Sequence, residues 1–411
     1  MLTRTASLVF AAWVLLCFTV LSSKADVLHS WVQLGPNDQI IVRAISASTD
    51  CPLLQIDGQA VAMKKRAMPQ DQFPHLVCEY RAPKLVQKIM LEGNPLPTLN
   101  PSLKRIAVVG DTGCRIRGTR VQYCNDPTAW PLNSILVEIA SRSPDLVIHV
   151  GDYVYRASEC PDPEKCGGSP FGDTFKSWSA DWLDPADSLF RRVPFFFLRG
   201  NHENCGRGNK GWFRYFEAGS LPSSCPAVTL PWIASVEGLD LISFDSSAGP
   251  APQSSPGLSN VYGQMARDLF GKTSGEAWLL THRPLWVNMQ AFGELIDGDD
   301  TQRAAFSRVI PENVNLVLSG HIHAFQAIDL LDGPVQGISG NGGTQLDPMP
   351  TEIAANVEVA GSLASIVVSN SDFGFLMLTQ ETDGSWSMDA IDAAGKTRNR
   401  CRLSGRTLSC E

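Results

Sequence analysis

The chain is short of histidine, with seven in 411 residues. It carries no two CxxC pairs, which argues against structural zinc held by cysteine. No Asn-x-Ser/Thr acceptor occurs, so glycosylation gives no clue to the host. There is no internal repeat and no low-complexity tract. After residue 25 no stretch is apolar enough to cross a bilayer as a helix. Positive charge is also short: 34 Lys and Arg stand against 42 Asp and Glu, a net charge of −8. Such a balance argues against nucleic acid or an anionic membrane as a partner. An anionic substrate must then be attracted locally, by metal ions.

What is present begins with an address. Arg4 is the only charge in residues 1–7, Leu8 to Leu21 is almost wholly apolar, and Ser23-Lys24-Ala25 places small residues at cleavage spacing. This is the pattern of a secretory signal peptide over residues 1–25, and the apolar run is too short for a membrane span. The expectation is an exported protein, periplasmic or extracellular, beginning near Asp26. Losing Arg4 and Lys24 moves the net charge from −8 to −10. Cys17 lies in the signal, so ten of the eleven cysteines remain, an even number that suggests disulfides outside the cytosol. Sequence leaves the connectivity open. Pairing neighbours gives Cys51–Cys78, Cys114–Cys124, Cys160–Cys166, Cys205–Cys225 and Cys401–Cys410.

Residues 26–100 read as a small β domain, with strands at Ile40-Ile41-Val42 and Lys88 to Leu91 and a linker over residues 93–101. From Lys104 apolar strand-like runs alternate with helical spacing, as at Leu132 to Ser141. Residues 101–385 form the expected catalytic domain. Residues 386–411 form a β tail closed by a Cys401–Cys410 hairpin.

Five polar blocks follow the apolar runs in fixed order. They are Gly110-Asp111-Thr112-Gly113, Gly151-Asp152-Tyr153-Val154-Tyr155, Gly200-Asn201-His202-Glu203, Thr281-His282, and Gly320-His321-Ile322-His323. Four of the seven histidines fall inside them. Carboxylate, phenol, amide oxygen and imidazole suit hard or borderline cations. Ligands of α/β sheets collect beyond the carboxyl ends of strands, where each block would sit. An aspartate can bridge two cations roughly 3.5–4 Å apart.

The blocks resemble the calcineurin-like metallophosphoesterases over about residues 104–330. Within them they are most similar to the purple acid phosphatase pattern GDxG, GDxxY, GNH(D/E), VxxH, GHxH, with Leu279 standing where the fourth block usually has valine. The resemblance implies an α/β fold, a metallophosphoesterase-type β-sandwich flanked by helices (α/β/β/α), here with the small N-terminal β domain. It implies two metal ions. Asp111, Asp152, Tyr155 and His323 would hold the first. Asp152, Asn201, His282 and His321 would hold the second, with Asp152 as the bridge. Gly113 stands where many relatives have a histidine. Tyr155 would supply the missing ligand, and its phenolate implies Fe(III) there, with Zn, Mn or Fe(II) at the other position.

The implied reaction is hydrolysis of a small phosphate ester by a metal-bound hydroxide, most simply by an acid phosphatase-like phosphomonoesterase. A phosphodiesterase on the same blocks and a non-catalytic phosphate- or metal-binding protein are the alternatives. His202 is the candidate to protonate the leaving alkoxide, since His321 and His323 are already assigned. His149 reads as a core residue, His29 and His75 as surface residues, Tyr153 as packing, and Glu203 as a partner behind the ligands. Two segments follow metal blocks: the insertion from Arg156 to Arg191 with Phe171, Trp178 and Trp182, and the cluster Arg207, Lys210, Trp212 and Arg214. Either lines the substrate pocket or packs a helix.

Overall fold

The strand Arg105–Val109 is Arg-Ile-Ala-Val-Val, and every residue after Arg105 is buried. Apolar side chains on both faces suit a strand covered from both sides. The structure, a computed structural model, describes residues 25–248, 255–291, 294–306, 309–350 and 353–411. The signal peptide expected at the start lies outside the described residues, apart from Ala25.

Arg105–Val109 runs parallel to Leu146–His149, and that strand runs parallel to Phe195–Phe197. A second parallel set comprises Leu239–Phe244, Glu276–Thr281, Val314–Ser319 and Val335–Ser339. The two sets are the centres of an eleven-stranded and an eight-stranded sheet. Side chains alternate as strand geometry requires. Ile106, Val108 and Ile148 share one apolar core with Leu241, Trp278, Leu280, Leu316 and Leu318 of the other sheet. Ala107, Val109 and Val147 point the opposite way, onto Leu132, Leu136, Leu189 and Phe190 of the helices Leu132–Ser141 and Asp184–Phe190. On the far side Ile242, Leu279 and Val317 meet Tyr262, Ala266 and Phe306 from the helices Pro256–Phe270 and Asp300–Phe306. The layers are therefore α/β/β/α.

Leu132–Ser141 forms because Leu132, Ile135, Leu136 and Ile139 make one apolar stripe at helical spacing, and all four are buried. Each such side chain contributes roughly 1.5–3 kcal/mol on leaving water.

Strand pairing crosses both boundaries expected from sequence. Val27–Gly35 joins the large sheet beside Phe195–Phe197, through Gln33 and Phe195. Gln39–Ser46, Leu76–Pro83 and Lys64–Ala67 extend that edge. At the other edge lie Gly374–Gln380, Trp386–Asp392, Thr397–Ser404 and Thr407–Cys410. Buried Arg43 and Arg66 each meet Glu79 at 2.7 Å and also donate to carbonyls between Phe213 and Glu217. Only Leu54–Ile56, Gln59–Val61, Ile89–Leu91 and Asn94–Leu96 form a separate four-stranded sheet, and the last of these occupies the expected linker.

The five disulfides join sequence neighbours: Cys51–Cys78, Cys114–Cys124, Cys160–Cys166, Cys205–Cys225 and Cys401–Cys410. His29, expected at the surface, is buried instead. The helix Asp184–Phe190 covers its strand, and Asp187 Oδ1 lies 3.1 Å from its Nδ1.

Candidate metal centre

All five blocks leave the carboxyl ends of parallel strands, three from one sheet and two from the other. Asp111, Asp152 and His321 hold positive φ angles of 56°, 60° and 71°. Left-handed backbone is costly for residues other than glycine and tends to persist where function requires it. The neighbouring glycines make room for the carboxylates. A Cβ on Gly200 would lie 2.1 Å from Asp152 Oδ1, and one on Gly320 would lie 2.4 Å from Asp111 Oδ2. At Gly113 a Cβ would lie 2.5 Å from the Tyr153 carbonyl oxygen, so this loop accepts no histidine there.

The Tyr155 hydroxyl lies 2.7 Å from Asp111 Oδ1, 2.9 Å from Asp152 Oδ2 and 3.1 Å from His323 Nε2. One phenol proton cannot serve two carboxylates and an imidazole nitrogen together. Four such groups converging in a buried space are a donor set for a cation. Burial, with the Asp152 charge adding and His282 opposing, pushes the Asp111 carboxyl up to about 8. Burial raises the Tyr155 phenol as well, and Asp111 and Asp152 reinforce the shift. A bound cation reverses both tendencies.

A second group adjoins the first through Asp152. Its Oδ1 lies 3.3 Å from His282 Nε2, which lies 3.1 Å from Asn201 Oδ1. Candidate ligand atoms of Asp152, His282 and His321 all fall within 4.8 Å of one another. His321 Nδ1 is buried without a hydrogen-bond partner among the described residues, the mark of an atom meant for something else. His282 Nδ1 lies 2.8 Å from the Val150 carbonyl; donating there turns the Nε2 lone pair toward Asp152 and Asn201. The structure thus brings together Asp111, Asp152, Tyr155, Asn201, His282, His321 and His323, and their donor chemistry fits two cations.

The family model for calcineurin-like phosphoesterases matches residues 104–325, more than half of the chain. The chain belongs to the calcineurin-like phosphoesterase family. Purple acid phosphatase 23 of Arabidopsis thaliana is 23% identical over 299 residues, covering 67% of this chain and 60% of the relative. The chain therefore spans less than two thirds of that relative's length. Among solved structures, purple acid phosphatase PPD1 from yellow lupin (Lupinus luteus) seeds superposes with a TM-score of 0.62 at 14% identity, over 92% of this chain and 74% of that one. PhoD superposes with a TM-score of 0.59 at 12% identity, over 93% and 91%. Both superpositions concern the fold.

Several residues position the five blocks. The Glu203 carboxylate accepts the N–H groups of Asp152, Tyr153 and Gly200 at 3.0, 2.9 and 3.1 Å. Asp181, in a wide π-type turn over Ser179–Leu183, accepts from the N–H groups of Cys114 and Tyr155 and pairs with Arg156 at 2.6 Å. It thereby ties the first two blocks together. Asp347 Oδ2 accepts the His323 N–H at 2.9 Å.

His202 lies beside the cluster. Its N–H donates to Asp152 Oδ1 at 2.7 Å, its Nδ1 lies 2.9 Å from the Val154 carbonyl, and its ring sits 3.9 Å from that of Tyr155. Burial, opposed by Asp152 and aided by Arg207, pushes the imidazole down to about 4. His149 is a core residue, stacked on Tyr153 at 3.8 Å. Trp178, Trp182 and Trp212 pack into the helix-side core, whereas Phe171 is exposed and the Arg207 charge is felt at His202.

Sequence reasoning missed Arg115, Arg283, Asp181 and Asp347. Arg115 Nη2 lies 3.1 Å from His323 Nδ1, and Arg283 Nη1 lies 3.3 Å from His321 Nε2. One local signal existed: Arg115, Arg117 and Arg120 crowd directly behind the first block in an otherwise acidic chain.

Proposed function

We propose that this chain is an exported, dinuclear-metal phosphoesterase acting chiefly on phosphate monoesters. The observation that carries this reading is Asp152, whose two carboxylate oxygens face different ligand groups, Oδ2 toward Tyr155 and Oδ1 toward His282. Asp111, Asp152, Tyr155 and His323 would hold one cation. Asp152, Asn201, His282 and His321 would hold the other. Two cations so placed lower the pKa of water and neutralise charge on phosphoryl oxygens.

The chain's own residues orient and screen. Glu203 and Asp181 hold the first two blocks in register. Arg115 and Arg283, with Arg207 whose charge is felt at His202, surround the centre with guanidinium groups. Several positive groups suit the two negative charges of a monoester better than the single charge of a diester. His202 shares an open cavity with Tyr155, and its Nε2, the nitrogen not held by Val154, is the one free to meet a leaving oxygen. Five disulfides support export.

For the metals, the Tyr155 phenol among two carboxylates favours Fe(III), with Zn, Mn or Fe(II) at the other position. A metal analysis with a visible spectrum tests this. A purple or pink band that disappears in Tyr155→Phe is expected. A colourless, active protein containing two Mn or Zn ions would overturn the iron assignment.

A further inference from the structure

The Cys205–Cys225 disulfide differs from the other four in two ways. The first is access. Each of the others contains at least one buried cysteine: Cys78, Cys114 and Cys124, Cys166, or Cys401. Cys205 is exposed, and Cys225 is half-buried. The second is charge. The Arg199 guanidinium, itself buried, places Nη2 3.3 Å from Cys225 Sγ and 3.8 Å from Cys205 Sγ. Among the described residues no other disulfide sulfur has a cationic side chain within hydrogen-bond reach.

These surroundings suit the open pair as well as the closed one. A guanidinium beside a sulfur favours the thiolate over the thiol, and Arg199 is nearer Cys225. The carbonyl oxygens of Cys225 and Pro226 lie 3.4 and 3.3 Å from Cys205 Sγ, so a Cys205 thiol has acceptors in place. Exchange is fast where an accessible sulfur takes the attack and the departing sulfur is stabilised as an anion. Arg199 also reaches the supports of the metal centre. Its Nε donates to the Glu203 carbonyl at 3.0 Å, and its Nη1 lies 3.1 Å from both Asp245 Oδ2 and the Pro226 carbonyl. Cys205 follows Glu203 by two residues. The bridge and Arg199 together tie the third block to the segment around Cys225.

We propose that Cys205–Cys225 is a thiol–disulfide exchange site for dithiol reductants, and that opening it loosens the third metal block. One thiolate of the dithiol attacks Cys205 Sγ. The Cys205–Cys225 bond breaks, and its electron pair leaves on Cys225 Sγ beside Arg199. The second thiolate of the dithiol then attacks the outer sulfur of the mixed disulfide and releases Cys205 Sγ with that electron pair. The dithiol loses two electrons and two protons and ends as a disulfide. The cysteine pair gains the two electrons; one proton ends on Cys205, and the other ends on Cys225 or passes to solvent. The second half of the inference rests on the metal-centre reading, and the first half does not.

The test treats the full, metal-loaded protein with dithiothreitol, quenches with iodoacetamide and maps the labelled cysteines by mass spectrometry. Cys205 and Cys225 are expected to label at least tenfold faster than any other pair, and that lead should fall at least threefold in Arg199→Gln. Simultaneous opening of the bridges, a lead held by another pair, or a lead unchanged in Arg199→Gln overturns the inference. Should that variant not fold, the adduct that glutathione forms with the wild type decides. Glutathione on Cys205 is expected, and glutathione on Cys225 contradicts the assigned direction of attack. The coupling is read by metal content after dialysis against a chelator, once the dithiol is washed out, with protein carried through oxidised dithiothreitol as the control. Retention at least threefold lower in the opened protein is expected, and equal retention overturns the loosening of the third block. A control that binds no metal at all would sink the metal-centre reading and leave the exchange site to the labelling result.

Discussion

Asp152 has one oxygen for each half of the cluster, and Glu203 behind it fixes the backbone N–H groups of Asp152, Tyr153 and Gly200 at once. Residues behind metal ligands typically contribute 10–100-fold to metal affinity or activity. Glu203→Gln is expected to weaken metal retention by about that much while leaving the fold intact, as read by metal content after dialysis against a chelator and by circular dichroism. Wild-type retention would remove Glu203 from the positioning set. His202 carries a sharper expectation. If its Nε2 delivers a proton, His202→Ala should slow an alkyl phosphate by roughly a hundredfold and p-nitrophenyl phosphate, whose leaving group needs little help, far less. Equal losses on both substrates would assign His202 to orientation alone. At this scale the sequence was readable, because each metal-type residue sits within a few positions of a strong apolar run. Asp181 and Asp347 were not, since they reach the centre from segments with no pattern of their own, and Arg283, although it follows His282 directly, belongs to no motif.

Elements deliver these residues, and loops hold them. The Cys114–Cys124 and Cys160–Cys166 disulfides pack in one cluster with Ile116, beneath the loops that follow the first two blocks. Removing the former by Cys114→Ala/Cys124→Ala releases a ten-residue loop. The expected cost is about 2–3 kcal/mol, measured as a lower denaturant midpoint, together with weaker metal retention. A lower midpoint with unchanged retention would make the bridge a stability element only. Helix Leu132–Ser141 and the metal-bearing strands were legible because their periodicities are local. The N-terminal strands were assigned to a separate unit because their pairing with Phe195–Phe197 joins residues about 160 positions apart, and nothing in either segment announces the other.

The whole molecule is a sandwich whose two sheets each deliver part of the centre, so its global stability bears on the site. His29 links the first strand to the helix Asp184–Phe190 through Asp184 and Asp187. Burial lowers its imidazole pKa, but the hydrogen bonds and charges of those aspartates outweigh it, and the net shift is upward from 6.5. The folded state therefore binds the proton more tightly than the unfolded chain. Its contribution is fully present below the unfolded value and is lost as pH rises through the folded one. His29→Gln should accordingly destabilise the protein more at about pH 5.5 than at about pH 9 in denaturant titrations. An equal loss at both would show the link to be packing alone.

The claim that two cations share Asp152 in a hydrolytic centre is tested most directly by one paired measurement. Metal content per chain and steady-state hydrolysis of p-nitrophenyl phosphate are determined on the same preparations of wild type and Asp152→Ala. The expected result is two metal ions and turnover in the wild type, with the variant losing both while keeping the wild-type circular dichroism spectrum. Turnover unaffected by Asp152→Ala, or a wild type that holds two ions and hydrolyses no ester, would contradict the account.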